Sequence, residues 1–269
     1  MNSWARRAAI LVVALTTLPL VWMVLASVTP ESRLFDAGAL WQGPFVLDHY
    51  RALFDERDFW TPIRNSLIVA GTTTVLSVVV GGACAYGLAR LHVRGGSVIL
   101  AFVLAVSMFP QISLVAPLYL LLREAGLINT YPGLVLPYLT FAMPLTIWLL
   151  VAYFRQLPAG LEEAAAMDGA GPIRTLVEIV APIAWPGIAT TAILTFVYCW
   201  NEFLFALSFT LGPERYTVPV AITLFRGQYQ VPWGQILAAA VVATLPVIML
   251  VAAFHRRITQ GLTAGAVKG

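Results

Sequence analysis

The segment LEEAAAMDGAGPIRTLVEIVAPIAWPG, Leu161 to Gly187, decides how the rest of the chain is read. It packs three acids, Glu162, Glu163 and Asp168, into its first eight residues, amid a chain that is otherwise mostly apolar. Pro158 suits a first helical position, and LEEAAAM is a run of good helix formers. Asp168-Gly169 stops that helix, with Asp168 capping the turn, and Gly171-Pro172 starts another. In the second helix Ile173, Leu176, Val177 and Val180 recur at i, i+3, i+4 and i+7, a one-sided apolar stripe. Pro182 and Pro186 end it. The expectation is a helix-turn-helix with one polar face, and its flanks show where it lies.

Those flanks are membrane spans. Of 269 residues, 59% are hydrophobic and 11% charged, against roughly 25% charged in a soluble domain. A span needs about 20 mainly apolar residues. Six stretches qualify, roughly 8–28, 64–89, 98–122, 134–154, 186–209 and 236–254. The first is long for a signal peptide, and LASVTPES is a poor cleavage site, so it reads as an uncleaved span. The hydrophilic segments between spans are too short for a core of their own. The chain therefore reads as a single all-α membrane domain, residues 1–269, with a polar loop at 155–185 and a tail at 255–269.

Positive charges set the orientation. With the N-terminus in the cytoplasm, Arg6, Arg7, Arg90, Arg94, Arg155, Arg174, Arg256, Arg257 and Lys268 fall inside. Arg33, Arg51, Arg57, Arg64, Arg123, Arg215 and Arg226 fall outside, diluted there by acids such as Glu31, Asp48, Glu56 and Glu214. Both termini and the opening segment are then cytoplasmic. The second span is rich in Gly, Ala, Ser and Thr, which marks a helix interface. The third and fourth contain Pro110, Pro117, Pro137 and Pro144; such prolines are tolerated where protein or a water-filled cavity satisfies the freed carbonyls.

Several chemistries are excluded. The single lysine, Lys268, precedes the last residue, so no phosphate-binding loop is present. His49, His92, His255 and every Asp lie outside the spans, which removes a Ser-His pair or an Asp dyad at depth. Cys84 and Cys199 sit in apolar runs as small hydrophobes and suggest neither a disulfide nor a metal site. The scattered arginines and net charge of +3 give nucleic acid no footprint. Glu202 is the one acid well inside a span, so an ion-coupled secondary transporter using it stays open as an alternative.

With those set aside, EEAAAMDGAGPIRTLVEIVAP resembles the EAA loop of permease subunits in binding-protein-dependent ABC importers. Glu163-Ala164-Ala165, Asp168-Gly169-Ala170 and Pro182 match its pattern; Ala181 departs from it, where the family usually has leucine. NSLIVA opening the second span, WNEF in the fifth and the tail GLTAGAVKG resemble the sugar branch, closest to the smaller maltose-type permease subunit and the trehalose importers. The resemblance covers nearly the whole chain. It implies a six-span type I importer permease in the bacterial cytoplasmic membrane, working on a di- or oligosaccharide. Its implied partners are a second, homologous permease, two copies of an ATP-binding subunit and an extracytoplasmic sugar-binding protein. ATP and Mg²⁺ serve the ATPase; this chain binds no cofactor or metal and carries no catalytic residue.

The resemblance also assigns roles. The segment around Glu162, Glu163, Ala164, Ala165, Asp168, Gly169, Ala170 and Pro182 would sit in a cleft of the ATPase. There Ala164, Ala165 and Gly169 allow close approach, and Glu163 accepts charge-assisted hydrogen bonds. The tail, with Gly261, Leu262, Thr263, Gly265 and Lys268, would thread between the two ATPase subunits as an extended strand of small residues. In the fifth span Thr191, Thr195, Tyr198 and Glu202 recur on one helical face, with Trp200 and Asn201 alongside. A polar stripe in a span faces a pathway or the bundle interior. Direct sugar contact and a structural or gating role are both open; in the maltose system the sugar contacts come mainly from the partner permease.

Overall fold

The computed structural model describes residues 3–266 save 37, 92 and 226–230, with side chains described between 4 and 254 apart from 39. Its main helices are α1 (Ser3–Ser27), α2 (Asp48–Asp55), α3 (Trp60–Arg90), α4 (Gly96–Ser107), α5 (Gln111–Glu124) and α6 (Tyr131–Phe154). They continue with α7 (Leu161–Met167), α8 (Pro172–Ile183), α9 (Trp185–Trp200), α10 (Leu204–Phe209), α11 (Val218–Thr223) and α12 (Trp233–Ala266). No strand occurs among the described residues.

Helices α3, α6 and α9 pack together as the centre of the bundle; α12 lies against α9, and α1 against α12. Apolar burial does not drive this association, because lipid is as apolar as leucine; close packing of small residues does. The buried face of α3 carries Ser66, Ala70, Thr73, Thr74, Ser77, Gly81 and Ala85, while Val75, Val79 and Val80 face outward. A Cβ on Gly81 would lie 3.3 Å from Thr146 and 3.4 Å from Ile147. The small-residue span is thus a helix interface, as its composition implies.

Helix α9 meets α6 even more tightly. A Cβ on Gly187 would stand 2.5 Å from Cγ of the Tyr153 ring. Gly187→Ala should therefore cost about 1–3 kcal/mol by overpacking, seen as a lower melting temperature of the detergent-purified chain. An unchanged melting temperature would contradict this contact.

Among the described residues, four helices are long and apolar enough to cross a membrane unbroken: Trp4–Ser27, Trp60–Arg90, Tyr131–Phe154 and Trp233–Phe254. The other two expected spans, 98–122 and 186–209, are broken. Between α4 and α5 the axis turns by 89°. The break falls at Met108–Pro110: Pro110 is extended, with ψ 120°, and the residue before a proline avoids the helical region. Pro117, Pro137 and Pro144, by contrast, stay inside helices. Helix α9 stops at Trp200, and its 16 residues extend about 24 Å. The chain breaks at Asn201–Phe203 before α10, so the expected fifth span is two helices.

At the other end of α9 the axis turns by 86° into α8. That helix includes a π turn, Leu176–Val180, ending two residues before Pro182. A proline ring crowds the carbonyl four residues back, and a widened turn makes room for it. The expected apolar stripe is split by this geometry. Leu176 and Val180 pack against Tyr86, Leu150 and Phe154, whereas Ile173 is 80% and Val177 61% exposed.

Polar side chains tie the connections to the bundle at the end opposite α7. Asn65 donates to the carbonyls of Glu214 and Tyr216, both at 3.0 Å, and accepts from the Tyr131 hydroxyl at 2.7 Å. Asn129 donates to Glu214 at 2.7 Å and thereby holds that exposed carboxyl below its usual range. Glu31 accepts from the N–H groups of Trp233 and Gly234, at 2.9 and 2.8 Å, placing an anion on the N-terminus of α12.

The tail needs a correction. Helix α12 continues to Ala266, so the segment expected as an extended strand is helical that far. No proline follows Pro246 to stop it, and Gly261 and Gly265 weaken a helix by about 1 kcal/mol each without ending it. Of Gly261, Leu262, Thr263 and Gly265 only the helical backbone is described, and Lys268 lies outside the described residues.

Candidate functional site

Two regions carry the sequence-derived candidates, the α7–α8 element and the end of α9. Gly160, at φ 87°, opens α7, and Gly169, at φ 74°, closes it. Both lie in the left-handed region that L side chains rarely adopt. Asp168 occupies the C-cap position between them, with its carboxylate exposed. The Ala170 N–H returns to the Ala165 carbonyl at 2.9 Å and completes the turn.

The acids in this element divide. Glu163 is exposed, as are Ala164, Met167 and Pro182. Ala165 is buried and faces the bundle. Glu162 also turns inward: its oxygens accept from Nε and Nη2 of Arg90, at 2.8 and 2.7 Å. Glu162, expected in the coupling segment, thus has its carboxylate engaged by Arg90 of the bundle. The face left open comprises Glu163, Met167, Ile173 and Val177, with Met167 89% exposed. Four surface groups of mixed chemistry around one tight turn suit a protein partner better than lipid or solvent alone.

Arg90 was counted in the sequence only as an inside charge. Nothing in its spacing connects it to position 162; only the fold brings them together.

The α9 stripe does not survive as a single face. Thr191, Thr195 and Trp200 are buried between helices. The Thr195 hydroxyl meets that of Thr146 at 2.9 Å, and the Trp200 indole donates to the Ala243 carbonyl at 3.2 Å while stacking on Phe196. Glu202 lies in the break and is 8% exposed. It accepts from the N–H groups of Phe205 and Ala206, at 2.8 and 3.1 Å, so it caps α10. A continuous helix through 202 was the wrong premise. Tyr198 and Asn201 remain partly or fully accessible. Gln111, which the sequence reading did not single out, donates to the Tyr198 hydroxyl at 2.5 Å and brings the two broken spans side by side.

The described residues form a bundle of broken and unbroken apolar helices with a short mixed-polarity element at one end, an architecture suited to a membrane transport subunit. Residues 77–264 match the binding-protein-dependent transport system inner membrane component family, and the chain belongs to it. Relatives include the trehalose transport system permease protein SugB of Mycobacterium tuberculosis, 45% identical over 96% of this chain and 95% of that protein. The trehalose/maltose transport system permease protein MalG of Thermococcus litoralis is 39% identical over 97% and 95%. A chain in the crystal structure of a bacterial ABC transporter involved in the import of the acidic polysaccharide alginate superposes with a TM-score of 0.80 at 21% identity, covering 95% of this chain and 96% of that one. The fold is accordingly that of ABC importer permeases, and the resemblance to the maltose and trehalose branch is borne out.

Proposed function

We propose that this chain forms half of the translocation pathway of an ATP-driven importer for a di- or oligosaccharide of the trehalose or maltose type. A second, homologous permease completes the pathway, a sugar-binding protein outside the membrane delivers the solute, and two ATPase subunits use ATP and Mg²⁺. This chain binds neither nucleotide nor metal and catalyses no reaction itself. It resides in the bacterial cytoplasmic membrane with both termini in the cytoplasm.

The observation that carries the reading is the exposed face of α7 and α8 around Glu163. An acid flanked by Ala164, Met167 and a glycine turn suits a cleft offering a basic residue and apolar walls. The names of the relatives support the sugar class. On the opposite side, a cleft of about 600 Å³ lined by Arg57, Arg64, Asp58 and Glu214 offers the binding protein a charged footing. Tyr198, Asn201 and Gln111 are the hydrogen-bonding groups best placed to meet a hydroxyl-rich solute. The helical continuation to Ala266 reaches toward the ATPase pair. Ion coupling through Glu202 is not favoured, because that carboxylate is occupied in capping α10.

Co-expression with the partner permease and ATPase tests the docking face. Glu163→Ala should reduce ATPase recovered on the tagged permease by roughly tenfold, the loss of a charge-assisted contact in a closed interface. Undiminished recovery would remove Glu163 from that interface.

A further inference from the structure

We infer that Arg90 is a positioning residue that carries motion of the coupling helix α7 directly into α3 and α6. This rests on the function proposed above and adds a second route through which the loop acts.

The geometry gives the guanidinium four partner residues. Nε and Nη2 hold the two Glu162 oxygens, at 2.8 and 2.7 Å. Nη2 also donates to the Pro158 carbonyl at 2.8 Å, and Nη1 to those of Leu157 and Phe154, at 3.1 and 3.5 Å. Arg90 is the last residue of α3, and Phe154 the last of α6. One side chain thus ties together the ends of two central helices, the connecting segment 155–160 and the first turn of α7. The pair is sheltered, with side chains 10% and 23% exposed, so water screens it weakly.

Covalently, α7 joins the bundle by two arms. One runs through α8 and the 86° bend into α9. The other runs back through residues 155–160, which lack helical structure and include Gly160 at φ 87°. A connection of that kind absorbs displacement by changing its dihedrals. The Arg90 fork bypasses it, because a bidentate guanidinium–carboxylate pair fixes orientation as well as distance. A push on α7 then reaches α3 and α6 as well as α9. The Tyr86 and Phe154 rings, edge to face at 6.4 Å, extend the contact into the inner apolar cluster.

The division of labour between neighbouring acids follows. Glu163 faces outward to the partner, and Glu162 faces inward to the fork. Disabling the fork should leave docking in place and impair transmission.

The experiment uses the assembled transporter in proteoliposomes, measuring sugar transported per ATP hydrolysed alongside ATPase recovered on the permease. Arg90→Ala should retain the ATPase but lower transport per ATP by roughly tenfold, within the range of a coupling free energy. Glu162→Gln keeps the size and leaves the carbonyl contacts of Arg90 intact, so it perturbs folding less than Arg90→Ala, and it should lower the ratio in the same direction. The double variant Arg90→Ala/Glu162→Gln should be no worse than Arg90→Ala alone, since both remove one link. A purely structural role would instead lower recovery and both activities together, leaving the ratio unchanged. A wild-type ratio in both single variants, with Glu163→Ala still losing the ATPase, would overturn the inference while sparing the function. Wild-type behaviour in all three would overturn the inference and remove Glu163 from the ATPase interface, whereas loss of ATP-dependent uptake by the unmodified transporter would overturn the function.

Discussion

Gly169→Val should insert and fold but lose sugar uptake by about a hundredfold, the upper range of coupling between distant sites. Gly169 has φ 74°, and a β-branched residue is strongly disfavoured there. The strain, about 1–3 kcal/mol, acts on the turn between α7 and α8. A Cβ at this position meets nothing within 4 Å in this chain. The loss therefore reports either the angle between the two helices or a partner surface seated on the turn. Gly169→Asn separates these causes, because asparagine tolerates the left-handed region. Recovery with asparagine assigns the effect to the backbone, and equal loss with both residues assigns it to the seated partner. Normal uptake with valine would mean that the turn is not part of the coupling element.

Glu202→Leu should be the most damaging substitution within the bundle. Phe205 and Ala206 would lose the acceptor for their N–H groups inside buried protein. Each buried donor left unsatisfied costs about 1–3 kcal/mol. The melting temperature should fall, and uptake should fall with it as α10 shifts against Phe141 of α6. Glu202→Gln retains a carbonyl acceptor and should keep most uptake, with no change in its response to an imposed ion gradient. If glutamine abolished uptake while leaving the melting temperature intact, the carboxylate would be working as an ion site rather than a cap.

Gly169 and Glu202 mark the two sides of what the sequence makes legible. The α7 helix, its glycine turn and the start at Pro172 follow from local chemistry, because Gly and Pro act on the backbone wherever they stand. The small-residue face of α3 is equally readable, since helix contact distance depends on side-chain size. Prolines are less informative. Pro110 separates two helices at 89°, while Pro137 and Pro144 remain within α6, where both are buried. What distinguishes them is the surrounding protein, and a single sequence does not display that. The polar stripe of α9 was a real periodicity read past its end. Thr191 and Thr195 do share a buried face, but the break after Trp200 gives Glu202 a different task. Arg90 and Glu162 are 72 residues apart, and no local pattern joins them. The tail shows the opposite limit: small residues admitted an extended reading, yet without a proline the preceding helix runs on to Ala266.

Uptake of a labelled disaccharide of the trehalose or maltose type into proteoliposomes tests the central claim most directly. The vesicles should contain this chain, its partner permease and the ATPase, with ATP and Mg²⁺ at the ATPase face and sugar-loaded binding protein at the other. The account predicts uptake that requires all four proteins and hydrolysable ATP, and that Glu163→Ala reduces. Uptake by this chain alone, driven by an ion gradient without ATP, would contradict it.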